Sequence, residues 1–123
     1  MSDYTAKRID EMQASSGGGF VKARAELGVT AFGVQVIRLG PEETRYPEHD
    51  HSHDGQEELY AVLSGDGRIE IDGESTPLDS RVLVRVAPEA RRKVYSGANG
   101  IELLVVGGAP GEAYAVSPFS ELD

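Results

Sequence analysis

Cysteine is absent from this chain of 123 residues, which removes disulfides, thiolate nucleophiles and sulfur metal ligands together. Any metal ion must then be held by nitrogen and oxygen. Long apolar runs are missing as well: nothing approaches the roughly 20 residues that cross a bilayer, and "MSDYTAKRIDEMQ" lacks the apolar core of a signal peptide. With no cysteine to oxidise, the chain reads as a cytoplasmic protein with no membrane partner. Basic residues are scarce, 12 Lys and Arg against 21 Asp and Glu, for a formal charge of -9. Nucleic-acid binding draws its affinity from basic side chains that displace counterions, so nucleic acid is not an expected partner. No lysine-bearing phosphate loop and no G-x-S-x-G elbow is present.

Glycine, by contrast, is plentiful at 15 residues and falls between short apolar stretches, as a turn-rich β architecture requires. A chain of this length buries on the order of 65% of its unfolded surface, enough for one domain with a real core. The clearest alternation is "GRIEIDGESTPL", where Ile69 and Ile71 share one face, Arg68, Glu70 and Asp72 take the other, and Asp72-Gly73 signals a hairpin turn. Further strands are read at 32–39, 57–63, 81–86, 92–96 and 101–107. Most are apolar on both faces, which points to a barrel pressed against a second sheet or a second subunit, hence a homodimer.

The expected organisation is an N-terminal arm over residues 1–31, a β-barrel over 32–107 and a tail over 108–123 that lies on the barrel surface. In the arm, 4–14 is either a short helix or a strand added to a partner's sheet. "SSGGGF" reads as a flexible join, and "VKARAELG" as a turn or two of helix ended by Gly28. Charge is segregated: residues 41–58 carry seven acids, while 81–93 carry five bases. Either the two segments neutralise each other in the fold, the favoured reading, or the acids concentrate cations around the histidines.

The 3 histidines all lie in "YPEHDHSHDGQEELYAVLSG", at His49, His51 and His53. Residues two apart on a straight strand point the same way, so the three rings are expected to converge. Imidazoles plus a carboxylate from the next strand make a nitrogen-oxygen ligand set for one divalent Fe, Mn, Ni or Zn ion. Alternation separates the two glutamates that follow, placing Glu58 with Tyr60 and Val62 inside and Glu57 on the rim.

The segment "HSHDGQEELYAVLSG" resembles the first motif of the cupin superfamily, H-x-H-x3,4-E-x6-G, through His51, His53, Glu58 and Gly65. The motif's opening glycine is replaced by Arg45. The second motif is only echoed by "LDSRVLVRVAPEARRKVYSG", where Arg92 stands at the place of a fourth, histidine ligand; with Pro88 as the motif proline, Lys93 takes that place. The chain is also similar to small stand-alone cupins that begin the motif with "EHDH" and end with "GG-x-PG-x-A-Y", here 107–114, a register in which His49 and His51 are the ligand pair. This resemblance implies an all-β, single-domain double-stranded β-helix, or jelly roll. It implies one divalent metal bound by two of the histidines and Glu58, with three protein ligands at most.

Cupins include dioxygenases, isomerases, decarboxylases and non-enzymatic binders, so fold does not dictate reaction. Dioxygenase-like or isomerase-like chemistry on a small organic acid is the expectation, with a non-catalytic, metal-free ligand-binding or scaffold protein as the alternative. A guanidinium cannot ligate a cation, so an inward Arg92 clamps a substrate carboxylate, pairs with an acid of the first segment, or bends to the rim. Tyr60 is a second candidate for substrate contact, although a buried tyrosine is more often core.

Overall fold

Asp72 and Gly73 both take positive φ, 49° and 86°, the combination a two-residue hairpin turn of the tightest class needs. This computed structural model describes residues 3–123. Within them the turn joins β4 (Glu57–Ile71) to β5 (Glu74–Leu78), and β6 (Leu83–Val86) continues along the same edge of β4. The opposite edge of β4 pairs along its whole length with β7 (Arg92–Gly108), whose last part pairs in turn with β3 (Gly33–Leu39). The sheet is completed by β1 (Ala14–Ser15) and β2 (Phe20–Val21), giving the order β1-β2-β3-β7-β4-β5, with β6 on β4. Every pairing is antiparallel. The architecture is the all-β jelly roll.

The long strands β4 and β7 each take in two of the shorter strands read from the sequence. Their glycine clusters, "SGDG" and "SGANG", bend the strands without ending them. Register shifts fall between Val62 and Ser64 and between Gly65 and Gly67, where the pair turns a corner. Gly65 sits there with φ 75°, and a Cβ built on it would run into the carbonyl oxygen of Gly100. The glycine that closes the first motif is thus demanded by both backbone angle and space.

Inward residues of both long strands fill the barrel. Tyr60, Ile69, Leu103 and Val94 have no exposed surface, and each such apolar side chain contributes about 1.5–3 kcal/mol by leaving water. The outer face of β3 and β7 is covered by the chain's own N-terminal arm, with Val21, Ala23, Val34 and Val36 forming a second cluster. β1 and β2 thus extend their own sheet. Residues 9–11 form a single 3-10 turn, and a second such turn at Ser16–Gly18 occupies the stretch expected to be a loose join. The short helix α1 (Ala23–Leu27) ends, as the sequence indicated, on Gly28 with φ 78°. On the outer face of β4 and β6, Leu59, Leu63 and Leu83 remain exposed, at 40, 42 and 72%.

The acidic and basic segments lie against each other. Arg91 reaches Glu48 at 3.3 Å and Asp50 at 3.6 Å, Arg85 pairs with Glu57 at 2.6 Å, and the Lys93 ammonium donates to the carbonyls of Thr44 and Tyr46. The tail packs against the arm: the Lys22 ammonium donates to the Glu121 carbonyl at 2.7 Å, and the Phe119 ring lies 5.2 Å from that of Phe20. Among the described residues no helix is long and apolar enough to cross a membrane.

Candidate metal centre

The histidine segment is a loop pinned across the barrel mouth rather than a straight strand. His49 exchanges both backbone hydrogen bonds with Arg92, the first residue of β7, and the His51 amide donates to the Pro88 carbonyl at 2.7 Å. The chain then turns over 52–55, with Gly55 at φ 70°. The Asp54 carboxylate fastens this turn by accepting from the Gln56 amide. A turn breaks the two-residue alternation, so the expected convergence of three rings does not occur. His49 and His51 meet Glu58, whereas the His53 side chain is 73% exposed and lies 3.4 Å from Asp54. His51, His53 and Asp54 make a second, more open cluster that shares His51.

Each of the two inward rings has its tautomer set by its surroundings. His49 Nδ1 lies 3.0 Å from the Pro47 carbonyl, and His51 Nδ1 lies 3.1 Å from Asp54 Oδ1. A carbonyl and a carboxylate only accept hydrogen bonds, so both Nδ1 atoms carry the proton and both Nε2 atoms present a lone pair. Those lone pairs face Glu58: His51 Nε2 is 3.4 Å from Oε2, and His49 Nε2 is 4.0 Å from Oε1. Lone pairs confronting a carboxylate at such distances call for a cation between them, either a proton or a metal ion. A proton on His51 Nε2 would let that ring donate to Glu58. The hydrogen bond to Glu58, against the opposing effect of burial, holds the His51 imidazole above its usual range.

Glu58 is held from behind. Burial alone would push its carboxyl up, but the His51 hydrogen bond and charge, the Tyr60 hydroxyl and the Arg92 charge together bring it below its ordinary value. Tyr60 donates to Oε1 at 2.9 Å, and since that uses its single proton, Tyr46 donates to Tyr60 across 3.1 Å. Arg92 Nη1 stands 3.9 Å from the same Oε1. Gly107, opposite Glu58 across the ladder, leaves the room the glutamate stem needs, because a Cβ there would lie 3.2 Å from Glu58 Cγ. Glu57, on the other side of the strand, pairs with Arg85 on the outer face instead of standing at the expected rim.

Arg92 and Tyr60, the residues expected to touch substrate, both have 0% exposure, and neither lines the cavity beyond the histidines. They touch residues that do line it: both approach Glu58, and Tyr60 also meets the Tyr46 hydroxyl. Arg92 donates to the Ala87 carbonyl at 2.9 Å, while its Nε and Nη1 have no partner. Sequence reasoning did not single out Asp54, which sets the His51 tautomer, or Gly107. Asp54 had a weak signal, an acid three residues beyond a candidate ligand. The cavity itself measures about 680 Å³. His49, His51 and Glu58 line it together with Ile37, Leu39 and Val105, Phe20 of the arm and Phe119 of the tail.

No protein-family model and no curated protein matches the sequence. Solved structures do match. A cupin protein from Bacteroides fragilis is similar over 95% of this chain and 93% of its own, at 25% identity and TM-score 0.74. A structure of DMSP lyases shares 25% identity over 65% of this chain but only 40% of that one, at TM-score 0.56. The Cupin_2 domain of an XRE-family transcriptional regulator from Enterobacter cloacae aligns with 68% of this chain and 86% of its own, at 24% identity and TM-score 0.56. The nearly full-length correspondence, together with the strand order and the placement of His51, Glu58 and Gly65 in it, establishes that the chain belongs to the cupin superfamily.

Proposed function

We propose that this protein is a metal-dependent small-molecule cupin whose single divalent ion is held by His49, His51 and Glu58. The observation that carries the reading is the confrontation of two imidazole lone pairs, each fixed by a hydrogen bond at the ring's other nitrogen, with a buried carboxylate at 3.4 and 4.0 Å. Such partners at the far nitrogen orient metal-binding histidines and raise their basicity. A nitrogen-oxygen set of this kind suits Fe, Mn, Ni or Zn. A bound ion with three protein ligands supplies Lewis acidity at its remaining positions, on which dioxygenase- or isomerase-type chemistry rests.

The chain's own contributions are separate. Asp54 and the Pro47 carbonyl keep the rings in the ligating tautomer, Tyr60 and Arg92 hold Glu58, and the cavity receives the small molecule. Arg92 and Tyr60 are here support for the carboxylate rather than substrate contacts. The homodimer expectation attaches to the outer face of β4 and β6, where Leu59, Leu63 and Leu83 stand in solvent.

The test is elemental analysis of untagged protein after reconstitution with Fe, Mn, Ni and Zn. About one equivalent is expected in the wild type and in His53→Ala, and almost none in His51→Ala or His49→Ala. Retention by His49→Ala with loss from His53→Ala would transfer the site to the outer cluster. No retention of any ion would favour the non-catalytic alternative.

A further inference from the structure

The cavity says more about its occupant than the ligands do. We infer that it takes a mostly apolar molecule whose body carries no charge, larger than the small organic acid expected from the sequence. The inference rests on the metal reading only for which end of the molecule reacts.

Size is the first argument. At about 680 Å³ the space falls in the range of about 300–1,000 Å³ that encloses a drug-sized ligand, far more than a two- or three-carbon acid fills.

The walls are the second. A ligand in contact with Glu58 and the histidines shares the space with Ile37, Leu39 and Val105 and with Phe20 and Phe119, whose rings lie 5.2 Å apart. Phe119 is 66% exposed although it borders the cavity, so an apolar ligand laid against it gains by covering a ring that water now touches.

Charge is the third. The arginines on the wall are already matched: Arg38 by Glu102 at 2.8 Å and Asp10 at 2.7 Å, and Arg45 by Glu43 at 3.2 Å with its side chain 85% exposed. Arg92 is sealed behind Glu58. A carboxylate placed along the cavity would meet Glu43 and Glu58 without an unmatched cation, and desolvating it would cost more than its contacts return.

The experiment uses simple probes on the whole, metal-free protein. Straight-chain alcohols from 1-butanol to 1-octanol are titrated by calorimetry, alongside octanoate. Dissociation constants should fall about fourfold for each added methylene, the effect of burying about 0.8 kcal/mol of hydrocarbon. Octanoate should bind at least tenfold more weakly than 1-octanol. Phe119→Ala, at an exposed ring outside the metal centre, should weaken 1-octanol severalfold while leaving the thermal midpoint nearly unchanged. Affinity independent of chain length, or octanoate equal to or tighter than 1-octanol, would overturn the inference. Because the probes need no metal, that outcome is independent of whether an ion is retained. Loss of the ion with alcohol binding intact would instead sink the metal reading alone.

Discussion

Replacing Arg92 by Met removes a charge from a site with no access to water while keeping most of its volume. The guanidinium makes one hydrogen bond, to Ala87, leaves Nε and Nη1 without partners, and holds Nη1 3.9 Å from Glu58 Oε1. At an effective dielectric of about 20, unit charges at that separation attract by about 4 kcal/mol. In the metal-free protein this attraction ties Glu58 to Arg92. A divalent ion must draw on the same carboxylate and is itself repelled by the guanidinium. Discounting the Coulomb figure for the partly open mouth leaves at least about 1.4 kcal/mol, so Arg92→Met should bind a divalent ion at least about tenfold more tightly. Stability of the metal-free variant should change by less than about 2 kcal/mol. The lost hydrogen bond and the loss of Glu58's cation are offset by relief of the two unpartnered nitrogens, each effect being of order 1–3 kcal/mol. Calorimetric titration of Mn²⁺ into chelator-treated protein measures the first quantity and urea unfolding the second. A folded variant with equal or weaker affinity would show that Arg92 and the ion do not compete for Glu58.

Two further expectations concern the frame around the site. Gly65→Ala should cost about 3 kcal/mol or more in urea unfolding, because a left-handed backbone and a carbonyl in the path of the new methyl act together; a loss under about 1 kcal/mol would refute this. Glu43 is held below its ordinary value of 4.5 by the Gly40 amide, which donates to it at 3.0 Å, and then by Arg45. A depressed carboxylate contributes stability that is present above its unfolded value and is lost as pH falls through the folded one. The difference in urea midpoint between wild type and Glu43→Gln should therefore hold steady from pH 7 to 5 and shrink below about pH 4.5; a constant difference down to pH 3 would contradict it.

What could be read from the sequence was what depends on neighbours along the chain. Alternation separated Glu58 from Glu57, Asp72-Gly73 marked the hairpin, and Gly28 ended the helix. The count to Gly65 turned out to describe a corner of the barrel. Readings failed where one cue has two physical outcomes. Glycine clusters in 64–67 and 96–100 suggested strand ends, but against an equally bent partner they become bulges inside β4 and β7. Equal spacing of the histidines suggested one face, but the Asp54 side chain, together with Gly55, folds the segment at 52–55 and carries His53 away. The cavity could not be read at all, because Phe20 and Phe119 come from opposite ends of the chain and meet only by packing.

The two-way hydrogen bonding between His49 and Arg92 bears on when the site comes into being. That pairing joins the loop to a strand made much later in synthesis, and contacts so distant in sequence form slowly. Until that pairing forms, the loop that carries the imidazoles is not pinned over Glu58, so the proposed ion site would be complete only in the closed barrel. Metal selection would then be made by the finished pocket, not by the nascent chain.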